Sequence, residues 1–188
     1  MKDALICGLI RTRMALTSRA RASRQIQRCL LDYRGLYAGV GEDEARLPIT
    51  VPPMIGVDEE MRSWSLFMIL EHNVIVNRSI TAIVQSLAVG EEPGGAGAID
   101  PKRDVMPSAN PGPEQITAFR ESVEGHFAVV EALPKLRGTL RKQHPVFGWL
   151  DAHGWHCMFG LHLQLHFWQA EEVVRVMSKP SLADRSGS

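Results

Sequence analysis

The sequence predicts an all-α fold, a four-helix bundle with a long connection between its second and third helices. Four segments repeat apolar residues every three or four positions, which is the spacing of one face of an amphipathic helix. A glycine- and proline-rich run, residues 90–113, separates the second segment from the third. No segment alternates apolar and polar residues convincingly, so no strand is expected. Four helices of comparable length can bury their apolar faces against one another.

The first helix is expected over residues 5–38, with its clearest pattern over residues 24–38. Residues 1–23 are interpreted as a basic N-terminal extension or as the start of this helix. Seven basic residues stand against the single acid Asp3 in residues 1–31. The favoured interpretation is the solvated face of a long helix. An organelle transit peptide and a nucleic-acid-binding arm are the alternatives.

The second helix follows a predicted loop. This loop holds an acidic cluster at residues 42–44 and then Pro52 and Pro53, which are incompatible with a helix interior. The helix is expected to begin near Glu60 and to end near Leu87. Its stripe of period 3.6 contains a histidine among apolar residues: Met68, Ile69, His72, Val76, Ile80, Ile83 and Leu87.

The third and fourth helices have recognisable ends. The third begins at Pro113, which suits a first helical position, and ends near Leu133. Asp151 is a good N-cap for the fourth, which is expected to reach about Ser178. Residues 179–188 are predicted to be a disordered tail.

Composition excludes several classes of function. The 21 basic and 21 acidic residues balance, so there is no overall attraction to nucleic acid or to an anionic membrane. No apolar run approaches the roughly 18 residues that cross a bilayer. Three scattered cysteines suggest no disulfide framework and favour a reducing compartment. The start, MKDALICGLI, is not a convincing signal peptide. We therefore expect a cytoplasmic protein without nucleic-acid or membrane partners.

A histidine pair near the end of the chain, in HLQLHFWQ, predicts a metal site. His162 and His166 are four residues apart on the core-facing side of the fourth helix, and His72 lies on the core-facing stripe of the second. Three buried imidazoles need partners, and Zn, Ni or Fe(II) would satisfy them while leaving a position open. A single buried histidine is more often satisfied by a carbonyl or carboxylate. Leu163 replaces the glutamate that zinc peptidases use as base, which argues against a peptidase.

Other polar residues near this pair receive weaker assignments. Gln169 lies one turn beyond His166 on the same face and is the best candidate to contact a ligand histidine, a cofactor or a substrate. His126 is placed at the flank of the third helix. His153 is expected at the surface, and His144, which precedes Pro145, is expected to be structural. No catalytic base is identified.

Three segments, taken in order, resemble the DinB/YfiT-like superfamily. WSLFMILEHNVIVNRSI resembles its second helix, and HLQLHFWQ resembles its last helix. QHPVFGWLDAHGW is similar to a subgroup in which an HPxFG turn precedes that last helix. The resemblance covers residues 24–178, which are expected to form one domain.

The resemblance implies a bundle of up-down-down-up topology, often homodimeric, with a metal held by His72, His162 and His166. It also implies metal-dependent transfer or isomerisation with a low-molecular-weight thiol such as bacillithiol or mycothiol. We therefore expect a metal-dependent enzyme acting on a small-molecule substrate, with a thiol-dependent transferase as its most concrete form. The alternatives are a non-catalytic metal-binding or stress-response protein and a metal-dependent hydrolase.

Overall fold

A computed structural model describes residues 2–94 and 104–178, and over these ranges the chain is mostly helical, as predicted. Part of the long connection and the predicted disordered tail (residues 179–188) therefore lie outside the described residues. The elements in chain order are α1 (Lys2–Leu16), α2 (Arg19–Ala38), α3 (Glu42–Arg46), a 3₁₀ turn (Glu59–Met61), α4 (Leu66–Val89), α5 (Glu114–Ala132), β1 (Lys142–His144), β2 (Gly148–Leu150) and α6 (Ala152–Met177).

The first predicted helix is in fact two helices, so the prediction of one continuous helix was wrong. Ser18 has extended backbone angles (φ −76°, ψ 154°), and its side chain accepts a hydrogen bond from the Arg21 amide. A serine in this role satisfies one of the free N–H groups at a helix start, which ends α1 and begins α2. The boundary drawn at residue 23 consequently falls inside α2.

Three further local predictions differ from the structure. The acidic cluster forms the short helix α3, in which the Glu44 carboxylate accepts a hydrogen bond from the Gly41 amide. The second predicted helix begins at Leu66 rather than near Glu60, because Ser65 caps it. An antiparallel hairpin of β1 and β2 stands where no strand was predicted, and Gly148 has the positive φ of 69° that its turn requires.

The core lies between the helices α2, α4, α5 and α6. α4 packs against α5 and α6, and α6 packs against α2 and, at one end, against α1. Gly160 allows α2 and α6 to approach closely, since a Cβ atom there would lie 3.2 Å from Ile26 Cγ1. In the described part of the chain, no helix combines the length and apolar character that crossing a bilayer demands. The largest fully buried side chains include Ile26, Tyr33, Phe67, Leu70, Phe159 and Leu163.

A buried polar chain joins α4, α2 and α6. Asn73 Nδ2 donates to the Tyr33 hydroxyl at 3.1 Å, and that hydroxyl donates to the Leu163 carbonyl at 3.2 Å. All three residues are fully or almost fully buried, where hydrogen bonds of this kind are strongly preferred over unpaired groups. These hydrogen bonds therefore help to fix the position of α4 relative to α6 along the helix axes. Asn73 and Leu163 are the sequence neighbours of His72 and His162.

The N-cap of α6 provides a test of how firmly this helix is held. Asp151 accepts a hydrogen bond from the Gly154 amide at 2.8 Å. Replacing Asp151→Ala should lower the free energy of unfolding by about 1 kcal/mol, because the capping acceptor is lost. Urea denaturation measures the change. Asp151→Asn retains the acceptor and should stay within a few tenths of wild type, and equal losses in both variants would contradict the capping role.

Candidate metal centre

α4 and α6 bring the three predicted histidines together inside the core. His72 Nε2 lies 3.1 Å from His162 Nε2 and 3.1 Å from His166 Nε2. One ligand atom from each residue lies within 4.8 Å of the other two, so the cluster could hold a metal ion. His72 and His166 are 2% and 3% exposed, whereas His162 is half-buried.

The outer nitrogen of His72 fixes which nitrogen faces the centre. His72 Nδ1 lies 2.7 Å from the carbonyl oxygen of Val105, a buried residue in the connection between α4 and α5. A carbonyl oxygen only accepts, so Nδ1 carries the imidazole proton and donates it. In a neutral imidazole, Nε2 then has a free lone pair directed at the other two histidines.

The outer nitrogen of His166 is fixed in the same way by Gln169. Gln169 Nε2 donates to the Met61 carbonyl at 2.7 Å, which orients the amide so that its oxygen faces His166. Oε1 accepts from His166 Nδ1 at 2.8 Å. Gln169 therefore contacts the outer nitrogen of one histidine of the cluster, while its predicted role toward a cofactor stays a prediction.

The converging lone pairs fit a metal ion better than they fit one another. Since His72 and His166 both carry their protons on Nδ1, neither can donate across the 3.1 Å that separates their Nε2 atoms. Two nitrogens bound to one zinc ion at about 2.0–2.1 Å are roughly 3.3 Å apart at the tetrahedral angle. The observed spacing is close to this value, so the donor set suits a divalent transition metal.

The protonation of the cluster also favours metal binding. Burial lowers the pKa of His72 to about 4 and that of His166 to about 3. Burial, together with the neighbouring His166 and His72, lowers the pKa of His162 well below its usual value. All three imidazoles are consequently neutral at pH 7, which is the form that ligates a metal.

The two sides of the cluster differ. Trp64 closes one side, with its ring centroid 4.9 Å from that of His72 and 6.3 Å from that of His166. Two buried ring nitrogens, His162 Nδ1 and Trp155 Nε1, find no hydrogen-bond partner among the described residues. His162 is the one member of the cluster that is not fully buried, so access to the cluster is expected on its side.

His144 belongs to this open side, although the sequence indicated only a structural role. It contributes to the low pKa of His162, and its ring centroid lies 5.3 Å from that of Trp155. Its Nδ1 accepts hydrogen bonds from the Val146 and Phe147 amides, so its proton is on Nε2. The β1–β2 hairpin positions this residue, and nothing in the sequence indicated that hairpin.

Three other histidines are buried in a second group of contacts, so the surface assignment of His153 was wrong. Its Nε2 donates to the Thr17 carbonyl at 2.9 Å. His126 Nε2 and His156 Nδ1 are 2.9 Å apart, and neither residue is exposed. Thr81 donates to the Asn77 carbonyl and accepts from His126 Nδ1, so His156 donates to His126. These contacts satisfy both imidazoles without a metal.

Comparisons with protein-family models, with curated proteins and with solved structures found no match to this chain. The resemblance to the DinB/YfiT-like superfamily therefore stays an expectation that depends on the sequence motifs.

Gln169 should contribute to metal affinity through His166. Gln169→Leu removes the acceptor of the His166 Nδ1 proton, which leaves the ring less basic and less firmly oriented. Zinc affinity should fall by about 10–100-fold, measured by competition with a chromogenic chelator. Gln164→Leu, on another face of α6, should leave the affinity unchanged; equal losses in both variants would exclude the proposed orientation.

The His126–His156 pair should make the fold sensitive to acid. Burial lowers the pKa of His126 to about 3 and that of His156 to about 4. In the unfolded chain both would titrate near 6.5, so the unfolded state binds more protons as the pH falls through that value. The free energy of unfolding should therefore drop by about 2 kcal/mol for each histidine between pH 7 and pH 5.

Urea denaturation of the metal-free protein at both pH values measures this loss. The double variant His126→Gln/His156→Gln lacks both titrating groups and should lose correspondingly less stability on acidification. The same pH dependence in wild type and variant would show that the pair is not responsible.

Proposed function

We propose that this protein is a metal-dependent enzyme in which His72, His162 and His166 hold one divalent ion, either Zn, Ni or Fe(II). One observation supports this above all. His72 Nε2 lies 3.1 Å from the Nε2 atoms of both His162 and His166. His72 and His166 carry their protons on Nδ1 and donate them to oxygens outside the cluster. Three protein ligands leave a position open for an exchangeable group. When bound, the ion would lower the pKa of a thiol or a water at that position.

A thiol is the favoured occupant of the open position. The cluster consists of histidines alone among the described residues, so its ligands are neutral and leave the positive charge of the ion uncompensated. A thiolate would balance part of that charge, and soft sulfur suits Zn and its neighbours in the transition series. We accordingly propose transfer involving a low-molecular-weight thiol, with hydrolysis through bound hydroxide as the alternative.

The substrate is proposed to be a small molecule, and the residues on the open side would meet it. His72 and His166 are almost inaccessible, so a substrate would approach past His162. His144 presents a protonated Nε2 on that side, which suits a hydrogen bond to a substrate oxygen or nitrogen. We propose neither nucleic acid nor a membrane as partner.

A non-catalytic role for the metal has one observation in its favour. The low exposure of His72 and His166, 2% and 3%, would equally suit an ion that only ties α4 to α6. In that case a fourth ligand would close the site, and no small molecule would exchange at it.

The topology of the helices, the association of two copies and the cellular compartment are proposals as well. We propose that α2, α4, α5 and α6 form a four-helix bundle of up-down-down-up topology and that two copies associate, as the DinB-like resemblance implies. The mutual packing of these helices supports the bundle. Cys7, Cys29 and Cys157 are free thiols, which supports a reducing compartment, and we propose the cytoplasm.

Cobalt substitution distinguishes these functions. In the Co(II)-loaded protein, N-acetylcysteine should produce a thiolate-to-cobalt charge-transfer band in the near ultraviolet. A site that binds azide but not the thiol would favour the hydrolase. A cobalt spectrum that neither compound changes would contradict both enzymatic proposals and favour the structural ion.

Two variants control for artefacts in this experiment. His162→Ala should abolish the band, since it removes a ligand on the open side. Cys157→Ser should leave the band unchanged, because the added thiol rather than a protein thiol is the proposed ligand.

A further inference from the structure

A groove of about 690 Å³ runs along the side of α6 that faces away from the histidine cluster. The helix contributes residues at positions 157, 161, 164 and 168, which form one stripe, whereas His162 and His166 point to nearly the opposite side at 100° per residue. α1 and α2 form the other walls. This volume lies in the range that holds small ligands.

The walls of this groove are strongly basic. Arg13 of α1 and Arg21, Arg24 and Arg28 of α2 face it, and Asp32 is the single acid that lines it. Four guanidinium groups against one carboxylate leave a formal charge of +3, in a chain whose formal net charge is zero. In the part of the chain that the structure describes, none of these four arginines makes an ion pair. Their charges are therefore available to an anion.

The floor of the groove is apolar. Met14 is 6% exposed, Leu161 is half-buried, and the indole ring of Trp168 is 49% exposed. A half-exposed tryptophan beside guanidinium groups offers both apolar contact area and a face for stacking. A ligand that matches both walls and floor needs a charged head and an apolar body.

The wall that α1 provides is fixed rather than loosely associated. Arg137 Nη2 donates to the Ala15 carbonyl at 2.7 Å, and His153 Nε2 donates to the Thr17 carbonyl at 2.9 Å. These bonds satisfy carbonyl groups at the C-terminal end of α1, which otherwise lack helical partners. The groove thus exists before any ligand enters, which reduces the entropy lost on binding.

We propose that this groove binds a small amphipathic anion, with its acidic head on Arg13, Arg21, Arg24 and Arg28 and its apolar body along Met14, Leu161 and Trp168. The head could be the carboxylate of a fatty acid or the phosphate of an aryl or acyl phosphate, since guanidinium groups pair with both. A single strand of nucleic acid would need a series of aromatic side chains on which successive bases stack, whereas Trp168 is the one aromatic residue that lines this groove in the described part of the chain.

Anilinonaphthalene sulfonate, an anion with an apolar ring system, is the probe for this site. Fluorescence titration of the full-length protein should show one saturable site with energy transfer from tryptophan. Arg24→Gln/Arg28→Gln should weaken binding at least tenfold, and Trp168→Phe should reduce the energy transfer. Arg120→Gln, an exposed arginine of α5 outside the groove, is the matched control and should bind as wild type.

Competition identifies the class of head group. Displacement of the probe by decanoate would assign the groove to fatty carboxylates, and displacement by phenyl phosphate would assign it to phosphorylated compounds. An affinity of the double variant within twofold of wild type, or displacement by neither anion, would overturn the proposal. His72→Ala should bind the probe normally, because the groove and the histidine cluster lie on different faces of α6.

Discussion

Three neutral imidazoles converge in the helical core, and their need for partners constrains the residues packed around them. Their Nε2 atoms are separated by about the distance between two ligands of one metal ion. His72 and His166 carry their protons on Nδ1, so neither can donate a hydrogen bond to the other through Nε2. Without a cation, such an arrangement would leave buried acceptors unpaired, which is costly. The surrounding residues provide hydrogen-bond partners for these rings and fix the helices that carry them. Val105 and Gln169 hold outer ring nitrogens, and the Asn73–Tyr33–Leu163 chain aligns the helices that carry the ligands.

The sequence predicted that His72, His162 and His166 come together, because the apolar stripe of each helix indicates which of its faces is buried. His72 is flanked by buried residues at period 3.6, and α6 begins at an aspartate whose capping role can be recognised locally. The complete burial of His126 and His156 was not predicted. It depends on how α5 and α6 are rotated against each other. That rotation results from tertiary packing and has no local sequence pattern.

The break between α1 and α2 accounts for part of the difference between prediction and structure. His153 was predicted at the surface because its direction on the last helix differs by more than a right angle from that of His162. Once Ser18 separates the two helices, α1 can pack against the start of α6, and its last carbonyl groups accept from His153 and Arg137. The same break creates the basic groove. The β1–β2 hairpin escaped prediction because strands of three residues are too short to show alternation. His144 was consequently not associated with the histidine cluster.

Metal content shows directly whether His72, His162 and His166 hold one metal ion. Wild-type protein, purified without a histidine tag and loaded with zinc before extensive dialysis, should contain close to one metal per chain by elemental mass spectrometry. His72→Ala and His162→Ala should each lose it, while His153→Asn, which alters a buried histidine outside the cluster, should retain it. Two results would show that these histidines do not form the proposed metal site. One is a wild type without metal after exposure to Zn, Ni, Mn and Fe(II), and the other is metal retained in both His72→Ala and His162→Ala.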